Sequence, residues 1–385
     1  MEIFNNLYTM TAFDNLIESP GALLMLAIAV LLLYLGIKKG YEPLLLVPIG
    51  FGVLLANFPT GNMAATDTGG IMYLLYGALI KTTILPPLIF MGVGAMTDFG
   101  PMLRNLRLAF FGAAAQLGIF IVLISAVALG FTPQEAAALG IIGGADGPTA
   151  IFIAIELAPH LLGPIAIAAY SYMALIPVIL PLVSKTFITE KEFKINMRQQ
   201  DKLYPNKTKI KDLKTVKIIF PIALAIVVCL VVPTAAPLVG MLLFGNLVKE
   251  IGASTTRLFQ AASDTIMNTA TIFLGLIVGS TMTAASFLDW KTLTIIGGGF
   301  IAFAISMVGG IVAVKIHNAF SKKKINPLIG ATGLSAVPMA SREANKLALE
   351  YDSSNHILQY AMSSNISGVI GSAVAAGVLI ALLGG

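Results

Sequence analysis

The run Gly143-Gly144-Ala145-Asp146-Gly147-Pro148-Thr149 sets one carboxylate in an otherwise uncharged stretch, with apolar residues 139–142 and 150–155 on either side. Such a carboxylate costs about 2.5–3.5 kcal/mol on membrane-insertion scales, so it needs a function or a partner. The glycines let the chain unwind, and Pro148 lacks the backbone donor that would hold the Gly144 carbonyl in a helical turn. A carboxylate beside freed carbonyls suits a hard cation. A second segment, Asn326 to Arg342, is broken in the same way at Gly330, Gly333 and Pro338, and Pro338 would free the Leu334 carbonyl. Asn326, Thr332 and Ser335 add neutral oxygens. One carboxylate among neutral oxygens fits a monovalent cation better than calcium, which collects several carboxylates. Arg342 keeps its proton and presents a planar fork matched to a carboxylate; the same residue also fits a cytoplasmic anchor at the membrane surface. In the last apolar run, Asn365 needs a polar partner in lipid and is a candidate ligand. Ser363, Ser367 and Ser372 read with Gly368 and Gly371 as a small-residue packing stripe. Tyr170 reads as an interface aromatic.

The elements that position these residues belong in lipid. Of 385 residues 57% are hydrophobic and only 11% charged, with mean hydropathy +0.88, where a soluble domain carries about 25% charged residues. Runs near the roughly 20 residues of a spanning helix recur at 22–37, 108–129, 161–183, 216–232, 293–314 and 357–383. Glu2, Asp14 and Glu18 precede the first run without a basic region or a small-residue cleavage pattern, so no removable signal peptide is expected. Cys229, the single cysteine, lies in an apolar run and reads as a small core residue, excluding an internal disulfide. His160, His317 and His356 sit near run ends and build no metal motif; no phosphate-binding loop occurs. The net charge of +5 sits in a few loops without aromatic interleaving, which speaks for orientation and against nucleic-acid binding.

Between Lys185 and Lys217, ten Lys/Arg, Lys207 among them, face four acids over 33 residues. The positive-inside rule makes that loop cytoplasmic, together with Lys38-Lys39, Arg104 with Arg107, and Lys315 with Lys322-Lys323-Lys324. Residues 134–158 then begin and end outside, and residues 325–345 begin and end inside. Each must dip into the membrane and return, as two opposed re-entrant hairpins. Local similarity supports an inverted duplication: Val93-Gly94-Ala95-Met96-Thr97 answers Val278-Gly279-Ser280-Thr281-Met282, Ile142-Gly143-Gly144-Ala145 answers Ile329-Gly330-Ala331-Thr332, and residues 169–172 answer 361–364. The expected protein is an all-α integral membrane protein of about ten transmembrane helices, elevator-type and transporter-like. An N-terminal extracytoplasmic segment spans 1–20, a first repeat 21–185, a cytoplasmic basic loop 186–215 and the inverted second repeat 216–385. In such folds ions bind near the midplane, where broken helices of the two repeats meet.

Three blocks, Gly-Gly-Ala-Asp-Gly-Pro-Thr at 143–149, Asn-Pro-Leu-Ile-Gly-Ala-Thr-Gly-Leu-Ser at 326–335 and Asn-Ile-Ser-Gly-Val-Ile-Gly-Ser-Ala at 365–373, together resemble the beta subunits of the biotin-dependent, sodium-pumping decarboxylases that act on oxaloacetate, methylmalonyl-CoA or glutaconyl-CoA. The resemblance runs from about Leu74 to the C-terminus. It implies decarboxylation of carboxybiotin, coupled to outward Na+ transport with consumption of a proton. It also implies partners: a carboxyltransferase alpha subunit, a biotin carrier subunit on which the carboxybiotin arrives, a small single-span membrane subunit and further copies of the beta subunit. The setting it implies is the lipid bilayer of a bacterial or archaeal cytoplasmic membrane. By resemblance Asp146, Asn365, Ser335 and Asn326 are sodium-site residues, Arg342 holds the carboxylate of carboxybiotin, Asn326 and Gly330 belong to the same cofactor region, and Tyr172 handles a proton or substrate. Asp146, Ser335, Tyr172 and Arg342 form the implied catalytic set. From the residues alone, a sodium symporter for a small carboxylate is the competing reading; no biotin-lysine motif occurs in this chain.

Overall fold

The computed structural model describes residues 11–40, 42–144, 146–205, 212–287, 290–336 and 339–384. Glu2, Ala145, Lys207 and Pro338, named above, lie outside them. The described residues are helical, without strands, and in chain order the main helices are α1 (Pro20–Ile37), α2 (Pro43–Ala56), α3 (Ile71–Ile80), α4 (Leu85–Met96), α5 (Leu106–Ala128), α6 (Pro133–Gly140), α7 (Gly147–Leu157), α8 (Leu162–Ala174), α9 (Ile176–Phe187), α10 (Leu213–Val231), α11 (Pro233–Ile251), α12 (Ala253–Ser280), α13 (Trp290–Phe320), α14 (Met339–Tyr351) and α15 (Leu358–Leu383). Seven helices among the described residues are long and apolar enough to cross a membrane, or nine when each of two bent pairs is taken as one span.

One bent pair covers the run over 161–183, which is broken rather than straight. The chain breaks at Leu175 between α8 and α9 and turns by 68°. Pro177 in the first turn of α9 supplies no backbone donor to the preceding turn. Cys229 also departs from expectation, being exposed on α10 rather than a core residue. Periodicity is silent there because α10 is apolar on all sides, so nothing in its pattern marks the buried face.

Two glycine crossings tie the halves of the chain together. A Cβ on Gly94 of α4 would lie 1.8 Å from the Leu242 carbonyl oxygen of α11, and one on Gly245 would lie 1.9 Å from that of Met91. In the other crossing, a Cβ on Gly279 of α12 would lie 2.2 Å from the Ile49 oxygen of α2, and one on Gly52 would lie 2.3 Å from that of Leu276. In each case the carbonyl stands three residues before the partner's own glycine. Each crossing is closed by an asparagine amide: Asn246 Nδ2 donates to Thr97 O at 2.8 Å, and Asn57 Nδ2 to Met282 O at 2.7 Å. Without a hydrophobic force between helices in lipid, close backbone approach and interhelical hydrogen bonds supply the association.

The basic loops gather at one end. Arg104, Arg107, Lys322 and Lys323 line one cavity of about 820 Å³, Lys323 pairs with Asp201 at 2.6 Å, and Lys315 with Glu192 at 3.1 Å. Glu135, at the start of α6, instead meets His160 at 3.0 Å and Lys291 at 2.9 Å. On α10, Lys217 reaches Asp98 at 2.7 Å and the largely buried Glu250 at 3.0 Å. Partial burial disfavours the charged form of Asp98, yet the hydrogen bonds from Lys217 and the Gly100 amide hold it below the ordinary carboxylate range. Lys217→Ala leaves Glu250 buried without its cation. We expect a loss of about 2–3 kcal/mol and a melting temperature lower by several degrees in detergent, with Lys217→Arg retaining most of the stability. Thermal unfolding of the two variants checks this, and an unchanged Lys217→Ala melting point would refute the anchoring role.

Candidate functional site

Both segments, the expected hairpins, are broken helices, as their Gly and Pro content predicts. In the first, α6 starts on a capping box between Thr132 and Glu135, tightens through Ile141–Gly144 and stops. Then α7 begins at Gly147 with Asp146 as its N-cap and Pro148 in its first turn. Pro148 therefore opens a helix rather than interrupting one, as its fixed φ favours. In the second, a single turn, Leu328–Ala331, leads into non-helical residues 332–336, and α14 returns. The tips meet directly: Ser335 N donates to Gly144 O at 2.8 Å. The carbonyl freed in one hairpin is held by the other.

Asp146 lies at this junction, 6% exposed. Its carboxylate accepts from Thr149 N at 3.4 Å, Thr149 Oγ1 at 2.6 Å and Ser372 Oγ at 3.2 Å. Ser335 Oγ lies 2.8 Å from Ser372 Oγ, extending the chain to the second hairpin. Every donor is neutral, and among the described residues no Lys, Arg or His forms an ion pair with Asp146. N-capping accounts for the Thr149 contacts, but it leaves a full negative charge buried without a counter-charge. No group of three His, Cys, Asp or Glu able to hold a metal occurs among the described residues. One carboxylate with hydroxyl and carbonyl oxygens is a donor set for a hard monovalent cation rather than for zinc or calcium.

From α15, Asn365 Nδ2 donates to the carbonyls of Thr332 at 3.1 Å, Leu334 at 2.5 Å and Ala336 at 3.4 Å. Its nitrogen thus straps the second hairpin, while its Oδ1 is buried and unpartnered. Asn365 and Ser372 are seven residues apart, on one helix face and roughly 10 Å apart along the axis.

Other expected residues lie elsewhere. Asn326 does not join the cluster. Its Nδ2 donates to Phe193 O at 2.9 Å and Ile195 O at 3.1 Å, and its Oδ1 accepts from Leu328 N at 3.0 Å. Gly330 packs backbone to backbone on Gly310 of α13 rather than lining an open cleft. The Tyr172 hydroxyl donates to Ile296 O, and its ring stands edge-on to Phe300 at 6.0 Å. Arg342 is exposed on α14, one turn from Asn345, which lines a cleft of about 310 Å³ with Arg198 and His356.

Tyr170 corrects its reading as an interface aromatic: it is 1% exposed, and a Cβ on Gly147 would lie 2.0 Å from its ring. Ser372 likewise does more than pack, since it hydrogen-bonds the carboxylate. Both were missed because an all-apolar helix carries no period that reveals which face meets a hairpin. Thr149 was legible in principle as the third residue after an Asp N-cap.

A multi-helix membrane bundle whose two hairpins meet at a buried, neutrally solvated carboxylate defines a cation-transporting membrane protein. Comparison with known families makes the class particular. Residues 21–383 match the family model described as Na+-transporting oxaloacetate decarboxylase beta subunit. The chain is 48% identical to methylmalonyl-CoA decarboxylase subunit beta of Propionigenium modestum, covering 98% of each chain. It is also 48% identical to glutaconyl-CoA decarboxylase subunit beta of Acidaminococcus fermentans, over 95% of this chain and 94% of that one. To the oxaloacetate decarboxylase beta chain of Klebsiella pneumoniae it is 44% identical, over 94% of each. The chain belongs to the family of Na+-transporting decarboxylase beta subunits, membrane components of multi-subunit enzymes that couple decarboxylation to sodium transport.

Proposed function

We propose that this chain decarboxylates carboxybiotin presented by a partner carrier subunit and uses the reaction to move Na+ outward. The observation that carries the reading is Asp146, buried where the two broken segments touch, with only neutral donors around it. Asp146, Ser335 and Ser372 supply oxygens to the sodium ion, with the free Asn365 Oδ1 lining its path. Decarboxylation breaks the N–C bond of carboxybiotin, releases CO2 and leaves the electron pair on the ring nitrogen, which takes up one proton. Charge transport against the membrane potential costs about 2.3 kcal/mol per charge per 100 mV, and the decarboxylation supplies it. Arg342, exposed on α14, receives the anionic carboxylate from the cytoplasm. Tyr172 serves proton or substrate handling from its place against α13.

The paired glycine crossings support the inverted-repeat reading, since Gly94 and Gly279, and likewise Thr97 and Met282, hold matching positions in the repeated motif. An elevator-type movement of one bundle past the other fits hairpin tips joined by few hydrogen bonds. The assembly contains a carboxyltransferase alpha subunit, a biotin carrier, a small single-span subunit and several beta subunits in a bacterial or archaeal cytoplasmic membrane. The acyl substrate is one of those its relatives take, oxaloacetate, methylmalonyl-CoA or glutaconyl-CoA, and is selected on another subunit. The test is carboxybiotin decarboxylation by the purified chain in proteoliposomes, with sodium-22 followed in parallel. Decarboxylation that requires sodium and moves it supports the reading; sodium exchange with a small carboxylate and untouched carboxybiotin makes the chain a symporter.

A further inference from the structure

We propose that Gln116 is a ligand of the transported sodium ion, contributing its side-chain carbonyl oxygen to the Asp146 site. This rests on the sodium-transport reading of that site and adds a residue to it. Gln116 lies in the middle of α5 and is 5% exposed. The helix is irregular there: Gln116 N donates to Ala113 O at 3.1 Å and Ile119 N to Gln116 O at 3.0 Å, three-residue spacings inside a four-residue ladder. Tight turns within a helix often mark functional positions.

The side-chain amide is oriented by its partners. Gln116 Nε2 lies 3.0 Å from Gly333 O in the second hairpin and 3.3 Å from Gly112 O. Both are acceptors only, so the nitrogen must face them and the oxygen must face away. That oxygen, Oε1, is buried and has no hydrogen-bond partner. A Cβ on Gly144 would lie 3.3 Å from Gln116 Oε1 and 3.1 Å from Ser372 Cβ. The orphan oxygen and Ser372, which hydrogen-bonds Asp146, therefore converge on one face of Gly144, the residue whose carbonyl receives Ser335 N.

Tethering the second hairpin explains the nitrogen and leaves the oxygen without a role. A buried acceptor left unpaired is costly, and a cation removes that cost. Sodium takes neutral oxygens readily, and here the amide that would ligate it also grips Gly333. The ion is thereby linked to this placement of the second hairpin against α5, since a ligand favours the state in which its contacts exist.

The test compares wild type, Gln116→Leu, Gln116→Glu and Asp146→Asn in proteoliposomes. It measures the sodium concentration for half-maximal decarboxylation and, separately, the protection against thermal unfolding by NaCl over choline chloride in detergent. The expected result for Gln116→Leu is a sodium half-saturation raised about tenfold or more, equivalent to about 1.4 kcal/mol, with weaker sodium protection. Gln116→Glu preserves the shape but sets an acceptor against the Gly333 and Gly112 carbonyls, so its half-saturation and sodium protection should also depart from wild type by more than twofold. Half-saturation and protection within twofold of wild type in both variants overturn the proposal, whatever happens to the maximal rate. Should Gln116→Leu fail to fold, the isosteric Gln116→Glu decides by the same criterion. Absent sodium-dependent decarboxylation in wild type removes the pump reading. Sodium protection that is lost in Asp146→Asn and weakened in Gln116→Leu still upholds the ligand assignment.

Discussion

Asp146→Asn is expected to lower sodium-dependent decarboxylation and sodium-22 uptake together by about 100-fold or more, at unchanged or higher thermal stability. The substitution keeps the volume and one acceptor oxygen but deletes the only negative charge at the hairpin junction among the described residues. Interactions with an ionised partner are roughly twice as strong as neutral ones, and a hundredfold loss corresponds to about 2.7 kcal/mol. Stability moves the other way because a buried charge without a counter-charge is itself costly, and a neutral amide removes that cost. The opposite signs make the prediction specific. A capping role alone would leave stability nearly unchanged, since Asn caps as well as Asp, and would not alter the sodium dependence. Rates, sodium-22 uptake and melting temperature on one reconstituted sample check it, and retained uptake refutes the ligand assignment.

Gly330→Ala is expected to destabilise the protein by about 2–3 kcal/mol or prevent its folding, and Gly310→Ala should do the same. A Cβ on Gly330 would lie 2.1 Å from the Gly310 oxygen, and one on Gly310 would lie 2.0 Å from the Gly330 oxygen. Backbone cannot yield as a flexible side chain can, so the second hairpin would be pushed off α13, at the upper end of overpacking costs. Because one contact is disturbed from both sides, the double variant should cost less than the sum of the two singles. Yield of monodisperse protein and melting temperature measure this. Activity lost in Gly330→Ala at wild-type stability would instead support the cofactor role that family resemblance implies for Gly330.

The contrast between these residues shows what each source of information carries. Asp146 stood out in the sequence because a lone charge in an apolar run is costly whatever surrounds it. Arg342 stood out for its chemistry, and its exposure on α14 is a fact of depth that residue types do not encode. Asn326 offered an oxygen on paper, yet its amide and carbonyl are both engaged by neighbouring backbone. Ser372 looked like one more small residue in a packing stripe, and Gln116 raised no expectation at all. Ser372 and Gln116 acquire their places from contacts 37 to 226 residues away in the chain, such as Gln116 with Gly333.

By itself the sequence determined the solvent, the basic loops, the two helix breaks and the family. All of these follow from local composition: hydrophobic length, basic clusters, Gly and Pro at a break, and contiguous motifs. The tertiary structure alone decided which faces of the apolar helices turn inward, that the two hairpin tips meet, and which neutral oxygens surround Asp146. In a helix apolar on all sides the sequence has no amphipathic signal to choose a face. That choice is made by close glycine crossings and by the need of each buried polar group for a partner, both properties of the assembled bundle.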